Sequence, residues 1–194
     1  MKTVLVNYYT IEELKGLNPE GYENAYYKFA EAEGAFYNWA NEAVDSVEKF
    51  LSLFDCTLRD FVIGSVYNDD YSYNDDYIYL WNDEEEYNEC FEIDELSGEK
   101  LKSYLQLAHG ETIEKFEFCP LTGYCLDITL LEPLYEFLTG KNHQDSTLKD
   151  LIDMALSRAL NEVDGDYEYQ TSEEAFEEKS RDEDMYYDIN GNRL

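Results

Sequence analysis

Between Asp60 and Glu99 the chain has no lysine and no arginine, although it carries 14 acidic residues there. That lack deprives the carboxylates of local cations. It also argues against nucleic acid, anionic membrane surfaces and acidic substrates as direct ligands. No apolar run reaches the length of a membrane span. The opening stretch, Met1 to Tyr9, is too short in apolar residues and lacks the cleavage pattern of a secretory signal, so the expected location is the cytoplasm. Histidine occurs only twice and cysteine four times. Cysteines so sparse in a cytoplasmic chain read as buried thiols and not as disulfides. Cys119 and Cys125 are separated by five residues, wider than the spacing of a zinc knuckle. The P-loop, dinucleotide and nucleophile-elbow patterns are missing. The chain therefore reads as a non-enzyme with no cofactor and no metal.

What is present is acid and tyrosine. Forty-five Asp and Glu against 14 Lys and Arg give a formal charge of −31, and there are 19 tyrosines. Duplex DNA carries one charge per roughly 1.7 Å of axis, so the total equals that of roughly 15 base pairs. In the central run Asp69, Asp70, Asp75, Asp76, Asp83, Glu84, Glu85 and Glu86 alternate with Tyr67, Tyr71, Tyr73, Tyr77 and Tyr79. Solvated acidic tails lack such rings, which favour sheets and pack on a core. A second acidic stretch runs from Glu162 to Asp188, accompanied by Tyr167, Tyr169, Phe176, Tyr186 and Tyr187. A solvated face without a partner and adaptation to high salt are competing explanations of the charge. A calcium site is not, because only a fragment of the calcium-loop pattern occurs, at Asp188-Ile189-Asn190-Gly191.

Periodicity predicts an α+β fold, a mostly antiparallel sheet with amphipathic helices packed on one side. Residues 3–9 read as a first strand. Thr10 and Glu13 form a capping box, and Asn18-Pro19 opens a helix bearing Tyr22, Ala25, Tyr26, Phe29 and Ala30. Gly34 interrupts before a stronger stripe from Phe36 to Phe54. Thr57–Tyr67 and Tyr77–Trp81 are expected to pair as a hairpin across an acidic loop, Asn68–Asp76. A helix over Ser97–Ala108 ends at Gly110, and a second hairpin joins Thr112–Phe118 to Tyr124–Leu130 across Pro120–Gly123. Leu148 to Val163 is helical up to Gly165, Thr171 caps a short acidic helix, and a last strand runs from Met185 into an Asn190-Gly191 turn. With no linker-like segment, residues 1–194 read as one domain. The loop at Thr139–Ser146 is the sole candidate boundary.

The segments Tyr8-Tyr9-Thr10-Ile11-Glu12-Glu13-Leu14, the Ala/Tyr-rich helix leading to Trp39, and Tyr167–Ala175 running to Asp188–Leu194 resemble small phage and mobile-element proteins of low-GC bacteria. In charge and size the chain also resembles anti-CRISPR and antirestriction proteins that imitate DNA. The expectation is an acidic inhibitor of a bacterial defence complex, acting in the host cytoplasm. Its partner would be a basic nucleic-acid-binding protein such as a CRISPR effector or restriction enzyme, whose channel the eight central acids occupy. The alternative is an acidic adaptor or antitoxin-like protein that binds a basic partner without competing with DNA.

Overall fold

The structure is a computed structural model that describes residues 7–35, 37, 39–59, 71–73, 77–82, 87–92 and 95–194. Helices dominate it. In chain order they are α1 (Ile11–Leu17), α2 (Pro19–Ala35), α3 (Trp39–Ser52), α4 (Gly98–Glu114), α5 (Leu126–Leu138), α6 (Leu148–Gln170) and α7 (Glu173–Asp182). The described strands are β1 (Cys56–Leu58), β2 (Tyr71–Tyr73), β3 (Tyr77–Asn82) and β4 (Tyr87–Glu92). They form two separate two-stranded antiparallel ladders, β1 with β2 and β3 with β4. The expected α+β fold with a mostly antiparallel sheet is therefore overturned in favour of a mainly helical one.

Two misreadings explain the difference. Gly110 does not stop α4, because a glycine in a helix costs only about 1 kcal/mol and burial of Leu101, Leu105 and Ile113 on one stripe outweighs it. The aromatic alternation after it is a short 3-10 turn at Phe116–Phe118, not a strand. Its expected partner strand is the start of α5, where Leu126, Leu130, Leu131, Leu134 and Phe137 are buried at helical spacing. The first expected hairpin is seen only in part, because residues 60–67 of its first strand lie outside the described residues. Tyr77 lies opposite Glu92 and Asn82 opposite Tyr87, while Cys56 to Leu58 pair with Tyr73 to Tyr71, residues assigned to a loop by sequence.

The chain divides into two compact units, one made of residues 1–38 and 164–194, the other of Trp39–Val163. In the terminal unit the Thr10–Glu13 capping box forms as expected, and α2 begins at Pro19 and continues through Gly34. Tyr9 and Tyr187 exchange two backbone hydrogen bonds of 2.9 Å in an antiparallel bridge, the described remnant of the expected first and last strands. The core joins Ile11 and Leu14 of α1, Tyr22 and Ala25 of α2, Phe176 of α7, and Met185 and Tyr187. Gly21 and Gly191 allow an unusually close backbone approach. A Cβ on Gly21 would lie 2.3 Å from the Ile189 carbonyl oxygen, and one on Gly191 2.0 Å from the Gly21 oxygen. Gly191 also has φ +76°, a left-handed value that glycine adopts without a steric penalty.

The central unit has a more aliphatic interior. Val47, Phe50 and Leu51 of α3, Leu101 and Leu105 of α4, and the buried face of α5 are all essentially inaccessible. Both α3 and α4 pack on α5. The predicted stripe of α6 is buried from Leu148 to Val163, and the helix runs through Gly165 to Gln170. Polar ties reinforce α5 against α6: Thr129 donates to Glu162, and Arg158 lies 2.9 Å from Glu132. No described helix is long and apolar enough to cross a membrane.

Candidate acidic interaction surface

Asp69, Asp70, Asp75, Asp76, Asp83, Glu84, Glu85 and Glu86 all fall outside the described residues, so the expected site is fixed only by sequence. The second acidic stretch is described, and most of it lies in the terminal unit. Helix α7 carries Glu173, Glu174, Glu177, Glu178 and Asp182 within ten residues. At 1.5 Å rise per residue that is one carboxylate per roughly 3 Å of axis, close to the roughly 3.4 Å per phosphate along one DNA strand. Lys179 and Arg181 interrupt the series, yet both are turned to carboxylates: Lys179 to Glu33, and Arg181 to Glu12 and Glu177. Ser172, one residue later than expected, caps the helix by accepting from the Ala175 N–H. Thr171 instead donates back to the Tyr167 carbonyl.

Among the described residues of this unit, Glu20, Glu23, Glu31, Glu168, Glu174, Asp182 and Asp184 are all exposed and have no cation within 4 Å. Exposed rings accompany them, namely Tyr8, Tyr27, Tyr169 and Tyr186.

Sequence reasoning missed how the tyrosines are used here. The Tyr22 hydroxyl lies 2.9 Å from Glu177 and 3.3 Å from Glu173, and accepts from Lys15. Tyr37 donates to Asp166 at 2.8 Å, and Tyr169 to Glu178 at 2.8 Å. Each ring supplies apolar bulk on one side and an O–H for a carboxylate on the other. Burial, reinforced by the Glu177 bond, pushes the Tyr22 phenol up to about 12. Burial and the Asp166 bond push Tyr37 up as well. Bonds from Lys15 and Tyr22 hold Glu177 below the ordinary carboxylate value. The signal in the sequence was the pairing of aromatic and acidic enrichment in the same segments, but Tyr22 and Tyr37 meet carboxylates more than a hundred residues away, which leaves no local spacing to read.

The fragment at Asp188 is a turn, as expected. Its carboxylate accepts from the Asn190 and Asn192 backbone N–H groups and the Asn192 amide. The bonds from Asn192 are the main cause of its lowered pKa.

In the central unit Cys56 is a buried thiol, as expected, whereas the expectation is corrected for Cys119 and Cys125. Cys119 is half-buried with φ +49°, and Cys125 is exposed. They flank the loop before α5 and not a strand connection. Burial and the neighbouring Cys125 and Asp127 push the Cys119 thiol up. The loop is organised by Asp127, a fully buried carboxylate that sequence reading passed over. It accepts from the backbone N–H groups of Leu121, Thr122 and Gly123 and from the Thr122 hydroxyl. His109 lies inside α4, against Phe54 and Tyr104, and desolvation lowers its pKa. His143 sits 3.2 Å from Glu136.

No protein family, curated protein or solved structure matches this chain.

Proposed function

We propose that the chain is an acidic inhibitor that occupies the basic nucleic-acid-binding channel of a bacterial defence complex, in the manner of anti-CRISPR or antirestriction proteins that imitate DNA. The observation that carries this reading is the carboxylate density of α7 on a folded, tyrosine-backed surface. Its axial spacing approaches that of phosphates on one strand; Lys179 is drawn off the helix to Glu33, and Glu177 is the carboxylate of the series that Lys15 and Arg181 engage. A channel built for a sugar–phosphate backbone meets complementary charge there and associates rapidly. The central run supplies a second acidic stretch, with the eight acids from Asp69 to Glu86 as contact residues. The protein needs no catalytic group for this role.

The test is a gel-shift competition. Purified CRISPR effector–guide complexes and a restriction enzyme are each offered labelled target duplex with and without this protein. Displacement of duplex by at least one of them, weakening as salt is raised, is the expected result. A complex that retains its duplex while holding this protein would favour the adaptor reading. Reversing four central aspartates (Asp69, Asp70, Asp75 and Asp76 to Lys) and, separately, Glu168, Glu174, Glu178 and Asp182 to Lys, assigns the contact to one acidic stretch or to both.

A further inference from the structure

Within the terminal unit, α2, α7 and the C-terminal segment enclose a cavity of about 230 Å³. Its floor is apolar, built by Phe29, Phe176, Met185 and Tyr187. Its rim carries Lys28, Lys179 and Arg193, with Glu33 as the one acid. That distribution runs against the rest of the chain. The described residues of this unit include five lysines and arginines, and three of them converge here; its sequence holds 17 acids, of which one lines the cavity. Acids outnumber cations in two larger clefts, where Asp45 and Glu48 accompany Lys49 in one, and Glu20 and Glu23 line the other.

The rim cations are held in place without being fully neutralised. Lys179 is bound by Glu33 and stands 5.7 Å over the Phe29 ring. Arg193 is 3.4 Å from Glu183. Lys28 donates to Asn192 Oδ1 at 2.6 Å, a neutral oxygen, and its charge helps keep Asp188 ionised. A carboxylate entering above Phe29 would meet Lys28 with only an amide to displace.

We propose that this cavity binds a small amphipathic carboxylate, a single aromatic ring or branched hydrocarbon with one short acidic tail. The body follows from the floor, which gains by covering aromatic and thioether surface. The size follows from the volume, which falls below the roughly 300–1,000 Å³ of clefts that hold drug-sized ligands. The charge follows from the rim. A single negative charge is favoured over a phosphate dianion because the field of a protein at −31 repels the second charge as strongly as the first. This site is independent of the proposed inhibitor role.

The probe is 3-phenylpropionate, with 3-phenylpropanol and 3-phenylpropylamine as isosteric controls, titrated into isotopically labelled full-length protein and followed by backbone amide NMR. Expected is a saturable shift of amides in α2, α7 and 185–193 with the acid, weaker binding of the alcohol and none of the amine at those amides. Lys28→Gln should weaken the acid by up to about fivefold, the span of one exposed charge pair, and Lys28→Arg should restore it. Ala32→Trp, at an exposed position on the cavity wall, should abolish binding while leaving the spectrum otherwise folded. The proposal is overturned by the absence of a saturable shift, by amine binding at these amides as tight as that of the acid, or by acid binding unaffected in Lys28→Gln and Ala32→Trp.

Discussion

In the terminal unit the buried side chains include Tyr22, Tyr187 and Phe176, and the tyrosines end in hydroxyls that find partners. In the central unit they are mostly leucines, from Leu101 through Leu134 to Leu156. The two carry nearly the same acidic excess per residue: 17 acids against six basic residues in 69, and 28 against eight in 125. Equal charge density is thus reconciled with folding in two ways. Where the chain is short, rings do double duty, filling the core and donating to carboxylates at its edge. Where it is longer, a continuous aliphatic interior suffices, because a larger unit buries a larger share of its surface.

The sharpest way to break this comparison is to remove the ring on which the small core converges. Phe176 lies within 6.0 Å, centroid to centroid, of Tyr22, Tyr26, Phe29 and Tyr187. Phe176→Ala should cost about 3–5 kcal/mol in denaturant unfolding, and Leu130→Ala in the central unit about 2–5 kcal/mol. A Phe176→Ala loss below that of Leu130→Ala would deny the aromatic cluster its central place.

Next in size is the buried carboxylate of the central unit. Asp127→Ala strands three backbone donors and a hydroxyl and should cost about 3 kcal/mol by the same measurement. A loss below about 1 kcal/mol would mean that water replaces the carboxylate without difficulty.

Smaller, and specific to the terminal unit, is Tyr22→Phe, which removes the hydroxyl between Lys15 and Glu177 at a cost of about 1 kcal/mol. It also has a pH signature. The folded phenol holds its proton up to about 12, whereas the unfolded one releases it near 10. The unfolded state therefore binds fewer protons in that window, and stability falls as pH rises from about 10 toward 12. Wild type should show a steeper decline there than Tyr22→Phe; equal slopes would contradict the assigned burial.

Smallest of all for stability are the exposed acids. Glu168→Lys with Glu174→Lys should change it by less than about 0.5 kcal/mol per site. Partner binding should weaken by up to about fivefold per charge if α6 and α7 form the interface.

Local signals in the sequence were legible where a few neighbouring residues decide the outcome. Thr10 with Glu13, Pro19 at the start of α2, and the stripe from Leu148 to Val163 all form as read. The fold class was lost where long-range burial overrides local preference. Gly110 looks like a stop, and Phe116 and Phe118 look like strand residues, until Ile113 is seen buried on the same stripe as Leu105. Strand partners were legible least. β-Branched and aromatic runs announce strands but not which one lies beside which, so the pairing of Tyr77–Asn82 with Tyr87–Glu92 was not read from the sequence. The acidic character of the candidate surface was plain from composition. Its tyrosine donors were not, because Tyr22 and Glu177 meet only after the chain has folded back across 155 residues.

The close approach at Gly21 and Gly191 decides how this protein can be hardened by engineering. Replacing a helical glycine by alanine is a routine way to raise stability, by up to about 1 kcal/mol. Gly165 invites it, since nothing lies within 4 Å of the added carbon. Gly21, equally helical, forbids it: there the new methyl would wedge α2 away from the Ile189 carbonyl, and the usual gain turns into a loss. A thermal-shift series over the helical glycines would therefore split by sign, and the split would trace the seam along which the C-terminal segment is fastened to α2.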